Sequence, residues 1–150
     1  MANLNFRQDL VLGNQGEVVI KEFLETKGCE FIDFNNDNQY DLKMVKNNVE
    51  RTYEIKTDVI CSPTKDTGNM FVEFKCRNKP SGIETSKAKW FVTYFKHLNE
   101  AWFIKSDNLR TLIKNNKFHQ IKNGGDIGSN THGYLINRKK FKEHFLVCEI

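Results

Sequence analysis

The chain has 150 residues, 39% apolar and 28% charged, with a net charge of +4. That length and composition suit one folded domain over 1–150 and exclude a disordered chain or a two-domain protein. The modest positive charge permits an anionic partner without demanding one, and no apolar run is long enough to span a bilayer.

Residues 1–9 are polar and read as a lead-in. Residues 10–27 carry helical periodicity, with Leu12, Val19, Ile20, Phe23 and Leu24 as the apolar set, and Gly28 stops the helix. Glu17 falls on that stripe, three residues before Ile20 and seven before Leu24. Its carboxylate either faces inward or snorkels to water from the stripe edge. Gly13 and Gly16 precede it. Glycines weaken a helix, so they point to close approach by another element. Residues 29–34 read as a strand and 35–39 as a polar turn.

Residues 40–58 form the most informative stretch. Asn47-Asn48 is a hairpin turn, because Asn tolerates the left-handed backbone such turns need. Pairing then runs 46 with 49, 45 with 50 and outward, which sets Asp41 opposite Glu54. Directly opposed residues share a face, and alternation adds Lys56 to it. Two opposed acids repel unless something positive sits between them. A divalent cation with hard oxygen ligands, Mg²⁺, Mn²⁺ or Ca²⁺, would supply that charge. The same residues also fit a solvated sheet face with an ordinary Glu-Lys pair.

Residues 59–68 are irregular, broken by Pro63 and Gly68. Residues 69–77 form a strand with a second Glu-x-Lys, Glu73 and Lys75, which rivals Glu54 and Lys56 but lacks an opposed acid. A turn at 78–82 leads to a helix start at 84–89. Its N-terminus, with Arg77, Lys79, Ser81, Lys87 and Lys89 around it, would form a phosphate-contacting rim. Residues 90–95 and 101–105 read as neighbouring strands turned at Asn99. Ser106 or Asp107 caps a helix through Lys114, and 123–133 is a Gly/Asn-rich loop. A strand at 133–137, a terminal helix at 138–145 and a closing segment at 146–150 complete the chain. Cys29, Cys61, Cys76 and Cys148 show no C-x-x-C or zinc spacing. With no signal-peptide pattern at the start, the expectation is a soluble cytoplasmic protein with reduced thiols.

Gly13-x-x-Gly16-Glu17 on the first helix, Tyr40-Asp41 at a strand start and Glu54-Ile55-Lys56 on the next strand together resemble the PD-(D/E)XK nuclease superfamily. The likeness covers about 10–95, and Tyr40 stands where the family has its leading Pro. Residues 68–74, 79–83 and 89–91 also look like a group of small nucleases often found in bacterial viruses. The resemblance implies an α/β, restriction-endonuclease-like fold. That fold is a mixed central sheet flanked by helices in αβββαβ order, here with an added strand and a C-terminal extension. It implies Mg²⁺ (or Mn²⁺) held by Asp41, Glu54, the backbone carbonyl of Ile55 and Glu17, with Lys56 assisting the attacking water. It implies a DNA endonuclease acting on phosphodiester bonds, of the kind that includes Holliday junction resolvases, in the host cytoplasm if virally encoded. Cutting both strands of a duplex extends the implication to a homodimer. A nucleic-acid-binding module that keeps the fold without turnover, or an RNase, would present the same residues.

Overall fold

The computed structural model describes residues 4–35, 39–58, 61–124 and 130–150, and the side chains of 15–35, 39–58, 61–122 and 130–150. Parts of the expected lead-in (1–3), polar turn (36–38), irregular segment (59–60) and Gly/Asn-rich loop (125–129) lie outside the described residues. No helix among the described residues is long and apolar enough to cross a membrane.

Helix α1 spans Leu4–Thr26, so it begins within the stretch expected to be a lead-in. Ile20 and Leu24 enter the core, with Val19 and Phe23 packed beside them. The helix ends at Gly28, whose φ of 89° is left-handed. The amide of Gly28 donates to the Glu25 carbonyl at 3.1 Å and that of Cys29 to the Leu24 carbonyl at 3.1 Å. This paired closure satisfies the last helical carbonyls and folds Cys29 back onto Leu24.

Strands β1 (Glu30–Phe34), β2 (Leu42–Lys46) and β3 (Val49–Asp58) form an antiparallel meander. Asn47 and Asn48 have φ of 52° and 64°, the doubly left-handed turn that matches strand twist. Strand β3 then pairs in parallel with β6 (Trp90–Phe95), which turns through left-handed Asn99 into antiparallel β7 (Glu100–Lys105). Strand β10 (Leu146–Glu149) closes a six-stranded sheet in the order β1-β2-β3-β6-β7-β10.

The crossover between the parallel strands is itself mostly extended. Strand β4 (Asn69–Cys76) turns at Arg77 and Asn78 into β5 (Lys79–Pro80), and the helix expected at 84–89 is not formed. A short 3₁₀ turn, Gly82–Glu84, stands in its place. Beyond it Ser86 and Ala88 are buried while Lys87 and Lys89 are exposed, a two-residue period no helix can satisfy. The amides of Lys87 and Lys89 donate to the Gln39 carbonyl at 2.9 Å and to Thr52 Oγ1 at 3.0 Å. Gly82 is required at the turn: its φ is +55°, and a Cβ there would stand 2.1 Å from the Glu73 carbonyl oxygen.

The last third extends both layers. Helix α2 (Ser106–Asn115) follows β7, and its N-cap is Lys105 with no side-chain cap, so the expected cap by Ser106 or Asp107 is absent. Strand β9 (Thr131–Asn137) contains the strand expected at 133–137 and takes in the end of the expected loop, while β8 (His119–Gly124) reaches into its start; both join β4 in a second sheet, ordered β5-β4-β9-β8. The terminal helix is shorter than expected: α3 covers Arg138–Phe141 and continues as a 3₁₀ turn, Lys142–His144. The layers are thus α1, the six-stranded sheet, and the second sheet with α2. One core lies between α1 and the first sheet around Leu42, Met44, Tyr53, Ile55 and Val92. The other lies between the sheets and α2, around Met70, Val72, Phe91, Phe95, Leu109 and Ile136. The protein is a mixed α/β structure, and all four cysteines are free thiols.

The segment 61–68 is tied down by one carboxylate. Asp66 accepts from Arg138 Nη2, from the Gly68 amide at 2.8 Å and shares a 2.8 Å hydrogen bond with His97 Nε2. Arg138 is buried and stacks over Phe95, 4.5 Å from the ring centre. Burial pushes the Asp66 carboxyl up, but His97, the Gly68 amide and Arg138 outweigh it and hold it at about 2. A depressed carboxyl stabilises the fold above its unfolded value, and that contribution is lost as pH falls through about 2. Asp66→Asn should cost about 2 kcal/mol, since it leaves a buried guanidinium poorly paired beside a partly open site. Urea unfolding at pH 7 checks this. The gap from wild type should narrow as pH falls from about 4 towards 2.

Candidate active site

The hairpin delivers the expected register. Leu42 pairs with Tyr53, and both are buried on the α1 side of the sheet. Alternation turns their neighbours Asp41 and Glu54 to the other face. The ladder ends at that pair; the Asp41 amide then donates to the Tyr53 carbonyl at 2.9 Å, one residue out of the ladder's pairing, which keeps Asp41 beside β3. Asp41 Oδ2 accepts from the Ile55 amide at 2.8 Å, which fixes its carboxylate against β3. Glu54 Oε1 lies 3.6 Å from Lys56 Nζ, and its Oε2 accepts from Ser86 Oγ at 3.3 Å.

Glu17 joins them from α1. It is half-buried, and its carboxyl feels the charges of Asp41, Glu54 and Lys56. The approach of the helix to β3 is set one residue earlier. A Cβ on Gly16 would stand 1.9 Å from Thr57 Oγ1, so only glycine lets α1 lie this close. The close approach expected of the glycines is therefore met at Gly16. Gly13 lies within α1, and its surroundings fall outside the described side chains.

The electrostatics of the patch are those of crowded acids. Burial, then Asp41 and Glu54, push the Glu17 carboxyl up to about 7 despite Lys56. Burial and Asp41 likewise push Glu54 up to about 7 against the pull of Lys56 and Ser86. Burial raises Asp41 too, although the Ile55 amide and Lys56 oppose it. For Lys56 burial works downward, but Glu54, Glu73 and Asp41 outweigh it and hold the ammonium above its usual value. The donors are all hard oxygens, and one ammonium does not neutralise them. Glu17, Asp41, Glu54 and the Ile55 backbone are the groups that could hold a divalent cation. Among the described residues, the group with ligand atoms all within 4.8 Å of one another is Cys61, Asp66 and His97 instead.

Two members of the patch were not legible beforehand. Glu73, read with Lys75 as a rival to Glu54 and Lys56, lies close enough to Lys56 to favour its charged form. Ser86 supplies the hydroxyl that binds Glu54. Both come from the crossover, and only its extended path brings them here. The expected basic rim does not assemble as one surface, because the helix meant to organise it is absent. Arg77 and Lys79 are exposed at the turn between β4 and β5, and Ser81 Oγ is buried without a hydrogen-bond partner among the described residues. Lys87 and Lys89 line a different groove, beside Lys105 and Arg110.

No family model, curated protein or solved structure matches the chain.

Glu17 and Glu54 hold a proton more tightly folded than unfolded. Between 4.5 and about 7 the folded state therefore binds more protons, and stability falls as pH rises through that window. In EDTA, urea unfolding at pH 5 and pH 8 should show that fall, and Glu17→Gln should flatten it; an unchanged slope would contradict the crowding. Gly16→Ala should lower stability by driving a methyl into Thr57, and adding Thr57→Ala should recover most of the loss. A double-mutant cycle by thermal unfolding measures the coupling.

Proposed function

We propose that the protein is a metal-dependent nuclease that hydrolyses phosphodiester bonds in DNA, with Glu17, Asp41, Glu54 and Lys56 as its catalytic residues. The observation that carries this reading is the gathering of three half-buried carboxylates and one lysine by an antiparallel hairpin and the helix beside it. Crowded acids with carboxyls raised to about 7 are costly as structure and useful as a cation seat.

The residues fit Mg²⁺ or Mn²⁺. Asp41, Glu54, the Ile55 backbone carbonyl and Glu17 would hold it, and such an ion would keep part of its water shell. When bound, the ion supplies Lewis acidity toward the phosphate and lowers the pKa of water. The chain's own groups do the rest. Lys56 stays protonated under Glu54, Glu73 and Asp41, so it acts as a fixed positive charge toward the phosphate oxygens, not as the base. Where Glu17 is left outside the ion's ligands, its carboxylate can accept the proton of the attacking water. Water adds to phosphorus, the bond to one ester oxygen breaks, and the products are a phosphate monoester and an alcohol.

Incubation with supercoiled, linear, single-stranded and branched DNA, and with RNA, tests this with and without Mg²⁺ or Mn²⁺. Metal-dependent cleavage should vanish in Asp41→Ala. It should fall about 10²- to 10⁴-fold in Lys56→Ala, the range for a positioned charge or proton-transfer group. Binding without cleavage of any substrate would replace the nuclease reading with that of a binding module, and cleavage confined to RNA would change the substrate.

A further inference from the structure

The N-terminus of α2 opens into a groove of about 380 Å³ that the acid patch does not use. Lys87 and Lys89 come to it from the crossover, and Lys105 from the end of β7. Arg110 closes the floor: its Nη2 donates to the carbonyls of Ser86 at 2.7 Å and Ile83 at 3.1 Å. The wall carries a single carboxylate, Asp107, which is almost wholly exposed and paired with Arg110 Nη1 at 3.1 Å. Three lysines are left facing a groove with no acid of their own at the described contacts.

The helix end itself calls for an acceptor. Its first-turn amides receive no side-chain cap, and Lys105 at the N-cap position has no oxygen to offer them. The Ser106 amide is satisfied by the Lys89 carbonyl at 2.8 Å, which draws the lysine segment against the helix end. Ser106, a residue of the groove lining, is 1% exposed, and its Oγ is buried behind that lining with no hydrogen-bond partner among the described residues. Uncapped amides, an unpartnered hydroxyl and convergent ammonium groups are together the requirements of a phosphate.

We infer that this groove binds a phosphate group, and that in nucleic acid it takes a backbone phosphate next to the one hydrolysed. The second half rests on the nuclease reading; the first does not. The link is Ser86. Its hydroxyl binds Glu54 at 3.3 Å and its carbonyl binds Arg110 at 2.7 Å, so one residue joins the acid patch to the groove floor. A strand held by the groove would thus be positioned relative to Glu54 through a single buried side chain.

The test uses the full chain in EDTA. Titration with inorganic phosphate should move the backbone amide resonances of 106–109, and the exposed pair Lys89→Gln with Lys105→Gln should abolish the shifts without unfolding the protein. Binding of a short DNA duplex at several salt concentrations should show a slope of log K against log salt that is shallower by about 1 to 2 in the same double variant. Unmoved amides at 106–109 would overturn the phosphate site even if cleavage persists. An unchanged salt slope would overturn the backbone contact. Phosphate shifts with no duplex binding at all would support the phosphate site and overturn its role on a duplex backbone, while cleavage in the presence of Mg²⁺ separately decides the nuclease reading.

Discussion

Carboxylates that repel one another in a half-buried patch are the constraint on which the rest of this structure depends. Glu17, Asp41 and Glu54 would each ionise freely in water; here burial raises all three, and neighbouring carboxylate charge adds to it for Glu17 and Glu54. The fold offsets the penalty only in part. One backbone amide serves Asp41, one hydroxyl serves Glu54, and one ammonium serves the group. Both Glu17 and Glu54 are left at about 7, which is where the unrelieved part of the repulsion shows. An ordinary solvated sheet face would let such acids separate into water. These are held together by ladder hydrogen bonds on one side and by α1 on the other.

The architecture follows from holding them. The hairpin turn at Asn47 and Asn48 sets the register, and a slip of one residue would send either acid to the opposite face. Gly16 lets α1 lie against Thr57, so Glu17 arrives at the right height. Parallel pairing of β3 with β6 demands a long crossover, and that crossover spans the same face as Glu54 and Lys56. Because its middle part is strand β4, Glu73 comes to lie near Lys56, and because its last part is extended, Ser86 comes to lie on Glu54.

Local signals carried the parts of this that are local. An Asn-Asn turn between alternating strands, a glycine after an apolar helical stripe and a left-handed Asn99 between two apolar strands are each written within a few residues, and each formed as read. The crossover was misread for a physical reason. Thr85, Ser86, Lys87, Ala88 and Lys89 suit a helix by propensity, yet their conformation is decided by partners far along the chain, at Gln39 and Thr52. Strand β8 was missed because it is an edge strand of His, Gln, Lys and Asn, the polar composition that keeps an edge from pairing further. For the site, the hairpin that carries Glu54 and Lys56 and brings Asp41 beside β3 was readable from its turn. Glu73 and Ser86 were not, since no local pattern says which strand will pass over which.

The extended crossover also explains why the basic residues sort as they do. On a helix, Lys87 and Lys89 would point about 200° apart around the axis, as would Ser86 and Ala88. In extended chain the same four residues split cleanly by period two, Ser86 and Ala88 inward, Lys87 and Lys89 outward. One conformational choice therefore places a hydroxyl on the acid patch and aligns two ammonium groups along the neighbouring groove. Had the segment been helical, its own N-terminus would have been the anion site and the acid patch would have lacked Ser86. Because it is extended, the lysines are donated to the uncapped end of α2 instead, and the negative and positive surfaces of the molecule meet at a single serine.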